Sequence, residues 1–433
     1  MKYTTRTTCR VCGSSNLTPL FSLGNQHVSD FVAKDKVYSG PRCPIDIELC
    51  GNCTLVQAKH TAPQDFLYSR HYWYRSGVTE TMRAALKDVV SSAVKHTALE
   101  PEDIVLDIGS NDGTLLTQYP RELTRVGVEP ADNLVKYYHG EPNNKHLILI
   151  NDFWTYQNYI KAMKEWNCGG SEELFQAKII TAIGMFYDLE DPNQFIADVA
   201  KVLHPEGVFV AQLMCLKQTI ENYDIGNFAH EHLEFYSLRS LMYLMSKHNL
   251  TIFDVEENSV NGGSYRLYVR HAGAKLGDKA GLDRVEATLA WEEHVGLSTG
   301  SYLDGYPSFA SFATKLGVIH RNLHGFISDE ATKGKRTWVY GASTKGNVIL
   351  QWAGLDDRLI HGAADRSPEK WGKFTAGTNI PIVSEASARS VLPDYFLVLP
   401  YSFLPEFVER EKDEFWRKRG GKFIVPLPEF KVV

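Results

Sequence analysis

Apolar and polar positions fall along this chain in blocks of two lengths, and the blocks predict its elements. A mixed stretch from about Glu80 to Lys95 reads as a helix, and the unbroken apolar run Ile104-Val105-Leu106 as a buried parallel strand. A glycine loop, Gly109 to Gly113, then leads to a predicted helix start. "RVGVEPADNLV" reads as a second strand with Glu129 at its carboxyl end. "IITAIGMFYDLEDP" supplies another strand end, Ile179 to Tyr187, and "VAKVLHPEGVFVAQL" a helix, a Pro-Glu-Gly turn and a strand. From about Lys275 a long helical stretch is expected, Arg284 to Leu323. Strand, glycine loop and helix then recur in "RTWVYGASTKGNVIL", and a further strand ends at Asp365. This alternation predicts an α/β protein with two Rossmann-like units.

A chain of 433 residues exceeds what one core organises, so two or three domains are expected. The expected division is 1–68, 69–274 and 275–433. With 43% hydrophobic and 23% charged residues, the composition is that of a soluble globular protein. A net charge of −6 gives no electrostatic reason for a nucleic-acid partner. No apolar stretch approaches the roughly 20 residues that cross a bilayer, so no membrane partner is expected. The start, "MKYTTRTTCRVCGSS", lacks the apolar core of a signal peptide. A cytoplasmic location is therefore expected, with the seven cysteines read as thiols or metal ligands.

Four of those cysteines form two pairs, Cys9-x-x-Cys12 and Cys50-x-x-Cys53. Each pair brings two thiolates to one ion from a tight turn, and two pairs complete a tetrahedral shell. A structural zinc site that folds residues 1–68 is expected. A redox role would need one reactive pair at a helix N-terminus, which two matched pairs argue against. Cys43 is read as packing, with replacement of a ligand as the alternative.

The first glycine loop has the form Asp107-x-Gly109-x-x-x-Gly113, with an acid two residues before the first glycine. A dinucleotide would prefer G-x-G-x-x-G, which lays a pyrophosphate against a helix N-terminus. The spacing here suits a ligand with an amino-acid tail and no phosphate, S-adenosylmethionine (SAM). Asp107, Gly109, Asn111 and Gly113 would cradle it, and Glu129 would accept the ribose hydroxyls. Asp152 and Phe153 of "NDFW" are placed at the adenine, and Met185 beside the donor methyl. Core packing is the alternative for Phe153 and Met185.

With the cysteine pairs, the SAM loop and "HEHLEFYS" (His230 to Ser237) in view, the chain resembles the three-domain sugar C-methyltransferases. "YWYRSG" (Tyr72 to Gly77), "NGGSYRLYV" (Asn261 to Val269), "YGASTKGNVILQ" (Tyr340 to Gln351), "KWGKFTAGTNIPIV" (Lys370 to Val383) and "GGKFIVPLPE" (Gly420 to Glu429) extend the resemblance over essentially the whole length. It implies an N-terminal zinc domain, a central SAM-dependent methyltransferase domain, and a C-terminal Rossmann-like domain enclosing a nucleotide-sugar. It also implies methylation at C3 of a nucleoside-diphosphate 4-keto-6-deoxyhexose. Such chemistry needs a base for the C–H proton and a group to hold the enolate oxygen.

On the family's pattern the base is His232, with Glu231 orienting it or touching the sugar and His230 packing or capping. Several relatives carry a tyrosine where this chain has Ala229, so Tyr74, Tyr187, Tyr236 or Asn261, or a water, is expected to take its place. Metal binding by His230-Glu231-His232 is disfavoured, because ligands two residues apart face opposite ways on a strand and lie about 200° apart on a helix. In the C-terminal unit the loop is not a Walker A, since no G-K-[ST] follows it. A second nucleotide site is a fair reading of its motifs. The resemblance points instead to Lys345 as a diphosphate contact and Asp365 as structural, with a solvated lysine as the alternative. An O- or N-methyltransferase, a non-catalytic zinc/SAM scaffold and a nicotinamide oxidoreductase are the rival readings.

Overall fold

The cysteine-bearing segment builds a small antiparallel sheet from β1 (Leu17–His27), β2 (Arg42–Cys50) and β3 (Val56–Ala58). This computed structural model describes residues 2–67, 72–140, 146–167, 169–275, 277–297 and 309–433, apart from the side chains of 64, 65, 139, 140, 261 and 415. The fourth strand of the small sheet, Glu234–Phe235, comes from the central part of the chain and pairs with β3.

The central sheet has seven strands: β4 (Ile104–Ile108), β5 (Thr124–Val128), β6 (Leu147–Ile150), β7 (Ala177–Ile183), β8 (Leu203–Met214), β9 (Leu250–Asn258) and β10 (Ser264–His271). Their spatial order is β9-β10-β8-β7-β4-β5-β6, parallel from β8 to β6 and antiparallel at β10 and β9. Every residue of β4 and β5 is buried, as expected for strands covered on both faces. From β4 the chain proceeds one way to β5 and β6, and the other way to β7 and β8. The strand order therefore reverses beside β4, where a crevice opens at the carboxyl ends. Flanking helices start on side-chain caps: Thr79 for Glu80–Ala93, Asp191 followed by Pro192 for Pro192–Val202, and Ser237 for Leu238–Ser246.

The helix expected after the glycine loop does not form. Only a single 3-10 turn, Leu116–Gln118, follows, because Gly113 at φ +77° breaks the chain on one side and Pro120 on the other.

The C-terminal unit packs helices Lys279–His294 and Phe309–Thr332 with a second sheet. Its strands are β11 (Thr337–Tyr340), β12 (Ile360–Asp365), β13 (Ile382–Ser384), β14 (Tyr395–Val398), β15 (Lys422–Val425) and β16 (Lys431–Val432). The order is β13-β12-β11-β14-β15-β16, parallel except for the last pair. The single long helix expected from Arg284 to Leu323 is thus two described helices, with residues 298–308 of it outside the described part.

The units interlock. Phe374–Thr375 pairs with Phe31–Val32 of the cysteine domain. One apolar cluster joins Cys9, Val11, Cys50 and Cys53 to Phe186, Tyr236 and Leu241 of the centre. Another joins Ile47 and Leu49 to Phe228, Ala229, Phe312 and Val348. Among the described residues no helix is long and apolar enough to cross a membrane.

Candidate active site

The two cysteine turns converge. Cys9 and Cys53 Sγ lie 3.4 Å apart, as do Cys12 and Cys50 Sγ, and all four sulfurs fall within 4.8 Å of one another. A tetrahedral zinc ion with Zn–S bonds of about 2.3 Å wants sulfurs about 3.8 Å apart, so the four residues fit one. Cys43 stands apart, buried with Val28, Ala62 and Leu67.

A cavity of about 620 Å³ opens at the carboxyl ends of β4, β5 and β7, within the range of ligand cavities. Gly109, Asn111 and Glu129 line one end, with Phe153 and Met185 beside them. Gly109 holds φ +71°, and a Cβ there would meet Met185 Cγ at 2.8 Å, so the close approach of loop and methionine requires glycine. The carboxylate of Glu129 accepts the backbone N–H groups of Asn111 (2.8 Å) and Ala131 (2.9 Å). Burial nevertheless raises its pKa to about 7 against those two bonds. Asn111 ties the loop to the segment before it, accepting from Ser76 N at 2.9 Å and donating to the Tyr74 carbonyl at 3.1 Å.

Three of the residues expected at the cofactor lie elsewhere. Asp107 is buried beneath the loop, its carboxylate accepting the Thr181 hydroxyl at 2.5 Å, and does not line the cavity. Burial pushes its pKa up to about 7, with the Thr181 bond opposing. Gly113 faces the Tyr138 ring, 3.1 Å from where a Cβ would be. Asp152 is exposed and accepts the N–H of its neighbour Phe153, which lines the cavity where Asp152 itself does not.

Tyr72, Tyr74, Tyr187, Glu231, His232 and Lys345 line the same cavity. The stretch from Asn227 to Leu233 is a turn, entered from the 3-10 turn Ile225–Asn227 and left through strand Glu234–Phe235. Ala58 N donates to Leu233 O at 2.9 Å, so the cysteine domain fixes its exit. His232 Nδ1 donates to the Asn227 carbonyl at 2.6 Å, which leaves the lone pair of the neutral ring on Nε2. Burial, reinforced by Lys345, holds its pKa down to about 3. The Tyr187 ring meets it edge-on, centroids 4.7 Å apart, and Tyr187 Oη donates to the Gly184 carbonyl at 2.9 Å. Burial raises Glu231 to about 7 against the attraction of Lys345. His230 points away, donating Nε2–H to the Cys43 carbonyl at 2.8 Å, and burial lowers its pKa to about 4.

Tyr236 does not line the cavity. Its ring is buried and stacked on Phe186 (centroids 5.5 Å), and its backbone bridges to Cys215, so it lies in the core and not on the cavity wall. Ala229 likewise sits in the apolar cluster between domains. The Asn261 side chain lies outside the described residues. Asp188, Asp224, Asn227 and Thr344 were not anticipated. Of these, Asp188, Asp224 and Thr344 line the cavity, while Asn227 is buried beneath it. Asn227 opens the stretch "NFAHEHLEFYS", the one local signal that could have found it.

The second glycine loop is already filled by its own chain. Asp365 accepts the N–H groups of Ala342 (2.9 Å) and Ser367 (2.8 Å), and Lys370 Nζ donates to Ala342 O at 2.7 Å. Asp365 thus braces the main chain of its loop, as Glu129 does in the first unit.

A glycine-lined crevice at the strand-order reversal, with an acid at the next strand end and Met185 against the first glycine, is a nucleoside site of the kind SAM-dependent methyltransferases use. Comparison with known families agrees over three successive segments. Residues 9–68 match a zinc binding domain, 78–255 a methyltransferase domain, and 259–428 a C-methyltransferase C-terminal domain. Side by side the three matches run from residue 9 to 428 in the domain order of a SAM-dependent C-methyltransferase, and the four cysteines fit one zinc ion. The C-methyltransferase NovU of Streptomyces niveus is 29% identical over 98% of this chain and 96% of its own. Solved structures overlay part of the chain. A SAM-dependent methyltransferase from Clostridium acetobutylicum is 13% identical over 44% of this chain and 92% of that one, at TM-score 0.31. Magnesium protoporphyrin IX methyltransferase from Synechocystis is 11% identical over 44% and 79%, at TM-score 0.32.

Proposed function

We propose that the enzyme methylates C3 of a nucleoside-diphosphate 4-keto-6-deoxyhexose in branched deoxysugar biosynthesis. The observation that carries the reading is His232, whose Nδ1–H is committed to Asn227 O, leaving Nε2 as a proton acceptor on the cavity wall. A carbon acid next to a ketone gives its proton to Nε2 while the C–H electrons move onto the carbonyl oxygen as an enolate. Gly109, Asn111, Glu129, Phe153 and Met185 hold SAM, which supplies the electrophilic methyl when bound. Wall groups orient the nucleophilic carbon and exclude water.

A smaller cavity of about 110 Å³ shares Tyr72, Tyr74, Glu231, Ser343 and Thr344 with the larger one and is closed by Asp30, Trp73 and Lys370. It supports an elongated substrate running from the base toward the cysteine and C-terminal domains, as a nucleotide-sugar would. Tyr72 or Tyr74, rather than Tyr236, then stands at the reacting oxygens. A nucleotide-linked substrate and zinc thiolates support a cytoplasmic enzyme that acts on a small molecule.

The test is deuterium wash-in at C3 of dTDP- and GDP-linked 4-keto-6-deoxyhexoses, with and without SAM. Wild type exchanges the C3 proton and, with SAM, yields a carbon-bound methyl by NMR, whereas His232→Asn does neither. Exchange that survives unchanged in the variant would falsify His232 as the base. A methyl on oxygen or nitrogen would replace the reading with heteroatom transfer.

A further inference from the structure

Lys345 lies in the first turn of the helix Thr344–Trp352 of the C-terminal domain, more than a hundred residues from the base, yet its half-buried side chain reaches into the methyltransferase domain. Nζ donates to Asn227 Oδ1 and to Met214 Sδ, both at 2.9 Å. Asn227 is 2% exposed and held on a second side, where Nδ2 donates to Thr219 Oγ1 at 3.0 Å. The carbonyl of this same asparagine accepts the His232 Nδ1–H. The backbone also meets the lysine, with Lys345 Cβ 3.5 Å from where a Cβ on Gly226 would be.

From this geometry, and resting on the reading of His232 as the base, we infer that Lys345 is a positioning residue for His232. It acts through Asn227 across the boundary between the C-terminal and methyltransferase domains. The asparagine carbonyl can select the Nδ1–H tautomer only if its residue is fixed, and Lys345 and Thr219 fix its side chain from two directions. An ammonium spent on Asn227 and Met214 is poorly placed to be a diphosphate clamp.

The charged and titratable neighbours agree. Asp224, Glu231 and Asp188 surround the lysine and favour its protonated form against burial, which lowers its pKa. Tyr401 of the C-terminal domain donates to Asp224 at 3.2 Å, and the Tyr187 ring packs on His232. The cation in turn disfavours protonation of His232, which keeps the resting ring neutral but opposes proton uptake, so the part assigned to Lys345 is to hold Asn227 and not to raise basicity. Docking of the C-terminal domain would therefore set the tautomer of the base in the domain beside it.

The experiment is nitrogen NMR of the ring-labelled, zinc-loaded full chain without substrate, with His232→Gln assigning the signal. Wild type is expected to show a protonated Nδ1 and an unprotonated Nε2. In Lys345→Met and, independently, Asn227→Ala, which keeps the backbone carbonyl, the two signals should move toward averaged values. C3 exchange should fall by up to about 100-fold, the scale of an ångström misplacement, and the double variant should lose little more than either single one. Ring signals unchanged in both variants overturn the inference, as does a rise in substrate KM with exchange intact, which would return Lys345 to the diphosphate. Because the ring readout needs no substrate, it stands or falls apart from the proposed reaction.

Discussion

Replacing His232 by Gln should change how stability depends on pH, by an amount the structure fixes. Burial and Lys345 hold the folded imidazole at about 3, against 6.5 for an exposed one. Below pH 6.5 the unfolded chain binds a proton at this position and the folded protein does not. A depressed histidine pKa therefore costs stability as pH falls through 6.5, and the cost stops growing only near the folded value. For one such group it is about 0.1 kcal/mol at pH 7.5 and about 1.4 kcal/mol at pH 5.5. Glutamine titrates in neither state. The stability of His232→Gln relative to wild type should thus rise by about 1.3 kcal/mol between pH 7.5 and pH 5.5. Subtracting the two proteins at each pH removes the contributions they share, including those of Asp107 and Glu129, whose raised pKa values act in the opposite sense. Urea unfolding of both zinc-loaded proteins at the two pH values makes the measurement. A stability gap that does not move would mean that His232 titrates as an exposed histidine, and the argument from burial and Lys345 would fail.

Gly109→Ala should weaken SAM binding by about tenfold or more in calorimetry, since a left-handed alanine costs about 1–2 kcal/mol before its contact with Met185 is counted. Met185→Ala in the same chain should relieve the contact and leave the backbone cost. Metal analysis should find one zinc per chain, and none in Cys12→Ser or after chelation. Removing it should abolish C3 exchange as well as lower the melting temperature, because β3 of the zinc domain pairs with the strand that leaves His232; exchange at the wild-type rate in metal-free protein would refute that coupling.

What the sequence made legible is what backbone geometry and ligand number dictate. Gly109 and Glu129 could be placed because a positive φ and a strand end each demand a residue type at a fixed spacing. The two cysteine pairs could be joined because one ion needs four thiolates. Asp107 shows the limit: an acid two residues before a glycine looks like a ligand contact, but its position within β4 turns it under the loop toward Thr181. Tyr236 misleads for a similar reason. An aromatic beside an acid/base motif suggests a substrate wall, yet the strand it follows is paired to another domain and directs the ring inward.

The histidines carry that limit furthest. Local spacing argues against His230 and His232 sharing a metal, but it cannot rank them, since each has one ring N–H donated to a main-chain carbonyl. The difference is tertiary. His230 spends Nε2 on the cysteine domain at Cys43, and its Nδ1 is buried away from the cavity lining, whereas His232 spends Nδ1 on Asn227 and lines the cavity. Which nitrogen is free therefore depends on Asn227, and the position of Asn227 depends on a lysine 118 residues later in the chain. A base chosen by contacts from two other domains can act only in the assembled protein. That is a physical reason for a methyltransferase sheet to be flanked by a zinc domain and a second Rossmann-like unit, each of which holds one side of the turn that carries His232.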